Sequence, residues 1–210
     1  MIIKFDGIDG CGKSTVSRAV AEALGHQYSV VVVSEFANPT RRAPESSALL
    51  PIDTLRIRDA ALDPGFGCDD IERQLLLHFL SRRKNRVELP HLDAHHDYVV
   101  VDRSTLSNYA YGRAINSMFS ALSDLAVAGI ENADWIFWID TPVDICMERI
   151  SGRLADAVER KGRSYFDRVR KNFERLAARQ ATIRKLDGRW AIPAIVEHVL
   201  ELLEVPGRVG

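Results

Sequence analysis

The sequence predicts an α/β fold in three layers, with helices on both faces of a mostly parallel five-stranded sheet. Three observations lead there. Short apolar runs alternate with longer segments of helical spacing. The run Ser29-Val30-Val31-Val32-Val33-Ser34 is β-branched throughout, which predicts a strand buried on both faces of a parallel sheet. An apolar amino-terminal run also leads straight into a glycine-rich turn and then a helix.

The first strand is Met1-Ile2-Ile3-Lys4-Phe5, and it enters Gly7-Ile8-Asp9-Gly10-Cys11-Gly12-Lys13-Ser14-Thr15. Strand, glycine-rich turn and helix N-terminus in that order make a phosphate-binding loop. Its backbone N–H groups point at phosphate oxygens, and the helix dipole adds positive charge. Gly7, Gly10 and Gly12 allow the turn, Asp9, Cys11 and Thr15 complete it, Lys13 would neutralise β/γ-phosphate charge, and the Ser14 hydroxyl would ligate Mg²⁺. The architecture is then a three-layer α/β/α P-loop NTPase fold.

Helical spacing of Val16, Ala19, Val20, Ala23 and Leu24 predicts a helix from Lys13 to a stop at Gly25. Residues 36–68, with Pro39, Pro44, Pro51 and Pro64, hold two short helices at most. Ile71, Leu75, Leu76, Phe79, Leu80 and Val87 predict one long helix from Asp70 to about Leu89 with a basic end. Tyr98–Val101 is the next strand, ending at Asp102-Arg103-Ser104, and a helix follows to about Ala128. Trp135–Ile139 is a strand, and Pro142 suits the first turn of the helix carrying Glu148 and Arg149. Residues 151–163 are basic and small and read as a short lid inserted in a single 1–210 domain. A helix over Ser164–Gln180, a weaker strand over Ala181–Leu186 and a helix over Trp190–Leu203 close the chain.

Composition narrows the function classes. A net charge of −1 with 46% hydrophobic and 27% charged residues is not that of a disordered chain or of a surface that coats nucleic acid. Cys11, Cys68 and Cys146 are far apart and form no CxxC pair, which argues against zinc sites and a disulfide framework and for a reducing cytoplasm. No run of eighteen apolar residues predicts a membrane span.

In an open parallel sheet, ligands collect at the carboxyl ends of strands. The polar groups there are Asp9, Glu35, Asp102 with Arg103, and Asp140. Asp102 reads either as a carboxylate holding Mg²⁺ through water, beside Ser14, or as a helix cap. Arg103 would face phosphate, or else form a surface ion pair. Arg149, Arg153, Arg160, Lys161 and Arg163 surround the lid, where positive charge could meet a migrating phosphoryl group.

Nearly the whole chain resembles the thymidylate kinase family of nucleoside monophosphate kinases. The loop Phe5 to Thr15, including Asp9, is similar to that family's, where the carboxylate lies near the acceptor's sugar and phosphate. Leu77-His78-Phe79-Leu80-Ser81-Arg82-Arg83 resembles the family helix in which Phe79 would stack on thymine and Arg83, one turn later, would reach its carbonyl edge. Without the resemblance, Phe79 reads as core.

Asp102 to Tyr111 resembles the family's Asp-Arg and Ser-x-x-Ala-Tyr motifs, which implies acceptor phosphate on Arg103 and substrate contacts from Ser107 and Tyr111. The resemblance implies ATP and Mg²⁺ as cofactors, Lys13, Asp9, Arg103 and a lid arginine such as Arg153 as catalytic groups, dTMP or a related nucleotide as acceptor, and a homodimer. It implies no nucleic-acid or membrane partner.

Three departures stand out. The lid reads Asp156-Ala157-Val158-Glu159 where the family places an arginine after the aspartate, so Arg153, Arg160 or Arg163 must substitute. Gly112 replaces a base-reading glutamine. Glu35-Phe36-Ala37-Asn38-Pro39-Thr40-Arg41 replaces Glu-Pro-Gly-Gly-Thr, leaving Arg41 to contact phosphate. Two other readings stay open. A deoxynucleoside kinase would use Glu35 as base on a 5′-hydroxyl, and a silent relative would bind ATP without consuming it.

Overall fold

A computed structural model describes residues 1–34, 54–65, 67–119, 133–152 and 154–204. Five strands, β1 (Ile2–Asp6), β2 (Val30–Ser34), β3 (Tyr98–Asp102), β4 (Trp135–Asp140) and β5 (Ile183–Asp187), form one sheet in the order β2-β3-β1-β4-β5. Every pairing is parallel. Parallel neighbours need crossovers, and helices supply them: α1 (Lys13–Gly25), α2 (Thr54–Leu62), α3 (Asp70–Arg83), α4 (Leu89–Asp93), α5 (Thr105–Ile115), α6 (Val143–Ile150), α7 (Arg163–Ala177) and α8 (Ile192–Leu202). β1 lies at the centre, so the loop after it opens where the connections diverge to the two sides of the sheet.

The core is continuous from the central strands into the helices. Ile3, Phe5, Val100, Phe137 and Ile139 pack with Val20 and Leu24 of α1 and with Phe166, Val169 and Phe173 of α7. β2 differs from expectation. It is an edge strand with only β3 beside it, and Val32 is 46% exposed, so its valine run is not buried on both faces. β-branched residues favour the pleat on an edge as well as in the middle, and the run alone cannot tell these apart.

The long basic helix also differs. Asp69 caps α3 through a reciprocal box with Glu72. The helix continues beyond Leu89, through a π-turn over Lys84–Glu88, into α4. There the Leu89 N–H reaches back five residues to the Lys84 carbonyl. Pro90, which has no N–H to offer, follows at once. Inside this turn Asn85 accepts from the fully buried Lys4 Nζ at 2.7 Å and donates to the Ser81 carbonyl at 2.9 Å. The polar residue of the apolar β1 run is thus paired in the interior, as burial of an ammonium demands.

α5 ends at Ile115 because Asn116 is extended, and the part of the expected helix from residue 120 to Ala128 lies outside the described residues. α8 begins at Ile192 rather than Trp190, with Pro193 in its first turn.

Candidate active site

The loop after β1 is held in its turn by steric necessity. Gly10 has φ 81°, and a Cβ there would lie 2.4 Å from the Cys146 carbonyl oxygen. Gly12 has φ 101° and caps α1, its carbonyl accepting from Thr15 and Val16. Both positions are in the left-handed region that favours glycine. Gly7 lies close against Cys11 Sγ and the Ile139 carbonyl. The loop is braced from β4 and α6: Thr141 Oγ1 donates to the Cys11 carbonyl at 2.9 Å, and Arg149 Nη1 donates to the Gly10 carbonyl at 3.2 Å. Ser14 is half-buried and Thr15 exposed at the start of α1. Burial pushes the Cys11 thiol up and that of Cys146 up to about 12, so neither is a nucleophile at neutral pH.

Asp9 ties the loop to its surroundings. Its carboxylate contacts Arg103 Nη2, receives Lys13 Nζ at 3.3 Å and accepts from the Tyr111 hydroxyl at 2.9 Å, while its backbone N–H donates to that hydroxyl. Burial works to raise the Asp9 carboxyl, but Arg103 and Lys13 overcome it and hold the group well below the usual carboxylate range. Burial also opposes the charge on Arg103, and Asp9 reverses the balance so that the guanidinium stays protonated. Arg103 lies over the Tyr111 ring at 5.2 Å.

Arg103 adopts φ 78°, uncommon for a side-chain-bearing residue, and the surroundings enforce it. Its N–H continues the ladder to the Phe5 carbonyl at 2.9 Å. Next to it the fully buried Asp6 accepts from the Ser104 N–H and hydroxyl and from the Ser107 hydroxyl, which clamps the β3–α5 turn onto β1. Ser107, expected against substrate, is 2% exposed and donates its proton to Asp6 within the fold. Asp6 had no signal in the sequence beyond its place at a strand end.

Asp102 does not cap α5; Ser104 does, accepting from the Leu106 N–H. Instead Asp102 Oδ1 is buried without a hydrogen-bond partner. Among the described residues the other buried side-chain atoms in that condition are both ring nitrogens of His78, Ser81 Oγ and Arg83 Nε on α3, and Asn108 Nδ2 on α5. Such orphans are rare in folded proteins, and their concentration on α3, α5 and the end of β3 marks polar capacity left for a ligand.

Phe79 is 47% exposed and is therefore not core, and Arg83, one turn on, is half-buried. Asn108 was missed by sequence reading. It lies where α3 meets α5, beside Gln74, whose amide donates to the Asn108 carbonyl at 2.9 Å. Gln74 and Phe119 pack against Gly112, where a Cβ would come within 3.1 to 3.2 Å of them.

The arginines between residues 149 and 163 are unequally placed. Arg163 is paired with Asp144 and Asp167, Arg160 donates to the Ala155 carbonyl, and Arg149 reaches the phosphate loop itself. Glu35, Arg41 and Arg153 lie outside the described residues. No helix among the described residues is long and apolar enough to cross a membrane.

A family model described as Thymidylate kinase matches residues 55–198. The thymidylate kinase of Thiobacillus denitrificans is 35% identical over 210 residues, spanning 96% of this chain and 95% of its own length. The chain belongs to the thymidylate kinase family. The thymidylate kinases of Thermosipho africanus and Enterococcus faecalis, each 30% identical, cover 97% of this chain and 98% and 95% of their own lengths. Family membership makes the chain a nucleoside monophosphate kinase, a transferase whose substrates are nucleotides.

Proposed function

We propose that this protein transfers the γ-phosphoryl group of ATP to dTMP, giving dTDP and ADP. The observation that supports this reading best is the Asp9 carboxylate. It holds Lys13, the donor-side cation, beside Arg103, the cation placed for an acceptor phosphate. Asp9 thereby holds two cations, one on each substrate's side, next to the position where phosphoryl transfer gathers negative charge.

The backbone N–H groups of Gly10, Gly12, Lys13 and Ser14 and Nζ of Lys13 bind the donor phosphates, while that of Cys11 closes the turn onto the Ile8 carbonyl. Arg149 keeps that loop in shape by gripping its carbonyls. Arg103 orients the acceptor phosphate for in-line attack, and its rigid seat limits the motion that would misalign it. A monophosphate is already anionic, so no carboxylate base is needed. Phe79 stacks on the base, with Arg83 Nε and Asn108 Nδ2 as bare donors for its carbonyl oxygens. Tyr111, fixed to Asp9, lines the sugar. Ser107 serves indirectly by fixing the turn that carries Arg103.

The residues fit Mg²⁺: the orphaned Asp102 Oδ1 and the half-buried Ser14 hydroxyl are hard oxygen donors, and they would hold the ion. When bound, it would screen charge between phosphates. Arg153 and Arg41 remain in this reading as lid and acceptor-phosphate arginines. A homodimer in the cytoplasm completes it, supported by the exposed Ile71 and Leu75 on α3 and by three free cysteines.

Chromatographic product analysis of a reaction of ATP and Mg²⁺ with a panel of nucleoside monophosphates tests the proposal. dTDP and ADP should form in equal amounts; absence of turnover with every pyrimidine monophosphate would rule it out.

A further inference from the structure

The lid is joined to the acceptor side of the molecule at two points. Ala157, where the lid departs from its family's arginine, uses its N–H to bond the Leu62 carbonyl at the end of α2, at 3.2 Å. Four residues later, Lys161 Nζ contacts the carboxylate of Asp70 in the first turn of α3. The lid turn between them is closed by its own hydrogen bonds. Asp156 accepts from the Val158 and Glu159 N–H groups at 2.8 Å, and Glu159 accepts in return from the Asp156 N–H at 3.2 Å. α2 and α3 are themselves bound together by Arg73, which donates to the Ala61 and Cys68 carbonyls at 2.6 and 2.9 Å.

From the same lysine a connected set of contacts runs to the phosphate loop. Lys161 Nζ lies 5.5 Å from the centre of the Tyr165 ring. The Tyr165 hydroxyl donates to the Tyr111 carbonyl at 3.1 Å, and the Tyr111 hydroxyl donates to Asp9. Asp9 holds Lys13 and Arg103.

We infer that Lys161 and Asp70 are positioning residues that latch the lid to α3, so that acceptor bound on α3 and donor bound under the lid strengthen each other. The inference rests on the kinase reading of the site. Its physical content is that α3 carries Phe79 and Arg83 on the helix whose first turn holds the lid. Fixing α3 by the acceptor base therefore lowers the entropic cost of seating the lid, and the second ligand meets a more ordered partner. Lys161 lies at 19% side-chain exposure and Asp70 at 42%, and the contact bridges ninety-one positions of sequence. A surface pair of that exposure adds little to stability, so its effect should appear in ligand coupling rather than in folding.

The test is calorimetric titration of dTMP into the full-length protein with and without a saturating non-hydrolysable ATP analogue and Mg²⁺. It is run on the wild type, Lys161→Met, Asp70→Asn, the double variant and Lys161→Arg, with thermal melts of each. In the wild type each nucleotide should tighten the other about tenfold, within the usual range for two coupled sites. The factor should fall to about one in both single variants and no further in the double, and Lys161→Arg should restore it, with the affinity for dTMP alone little changed. Should both nucleotides bind the wild type independently, or should Lys161→Met keep the factor at wild-type size, the latch is refuted while the kinase reading stands. Failure of either nucleotide to bind the wild type would overturn both. A single variant that does not fold is replaced in the comparison by the other, since each alone must abolish the coupling.

Discussion

Asp9→Asn removes the carboxylate that Lys13 and Arg103 both contact. In the native site Asp9 is 17% exposed and Arg103 13%, and burial alone would push the carboxylate towards its neutral form. Arg103 and Lys13 overcome that penalty, so the asparagine variant leaves both cations facing each other without an anion between them. Breaking a buried pair by removing one partner costs about 3–5 kcal/mol. The low end, about 3 kcal/mol, applies here because both groups keep some contact with water. For a chain of this size that corresponds to a fall in Tm of roughly 6–12 °C.

Arg103 also loses the contact that orients it, and a displacement of about 1 Å at a reacting group costs on the order of a hundredfold in rate. Thermal melts without ligand, followed by a coupled assay of ADP release, measure both effects. Saturating dTMP and ATP supply replacement anions and should recover much of the lost Tm. A variant that melts within about 1 °C of the wild type and turns over within about threefold of it would refute the central place given to Asp9.

Gly10→Ala places a side chain at φ 81° against the Cys146 carbonyl, so it should weaken ATP binding strongly and lower Tm, by equilibrium binding and melting. Phe79→Ala should raise KM for dTMP by roughly 5- to 150-fold, the range of about 1–3 kcal/mol for an aromatic–base stack, with kcat less affected. Because Phe79 is 47% exposed, its loss should move stability by no more than about 0.5 kcal/mol in a denaturant titration. Folding depresses the Asp9 carboxyl, so its stabilisation is complete above the unfolded value of about 3.9 and is lost as pH falls through the lower folded value. Urea midpoints from pH 7 down to pH 3 should therefore fall less in Asp9→Asn than in the wild type, and parallel curves would contradict this linkage.

Much of the site could be read along the chain because its parts are local. The phosphate loop joins adjacent elements and Asp102-Arg103 lies at one strand end, whereas Phe79 and Arg83, one turn apart, become a pair only through the family resemblance. Contacts that join distant positions had no such signal. Lys4 reads as an exception in an apolar strand, and only the fold brings Asn85 to it across eighty-one positions. The valine run of β2 has the same composition on a sheet edge as in its middle. Ser107 fits a motif, yet its neighbour in space is Asp6, and that pairing turns a substrate contact into a clamp. Asn108 precedes Tyr109 without distinction until α3 packs beside it and leaves its amide bare. Residue type identified the groups capable of chemistry, and packing decided which of them were already committed.

The ratio of kcat/KM for dTMP to that for thymidine, measured on the same preparation with ATP and Mg²⁺, bears most directly on a site built from Arg103 and Lys13 around Asp9. An acceptor held through its phosphate by a fixed arginine should be preferred by at least about a thousandfold over one that lacks that phosphate, since thymidine forgoes the charge-assisted hydrogen bonds through which Arg103 would position it. Equal use of thymidine, or phosphorylation of its 5′-hydroxyl in preference to dTMP, would contradict the assignment of Arg103 and return the chemistry to a carboxylate base.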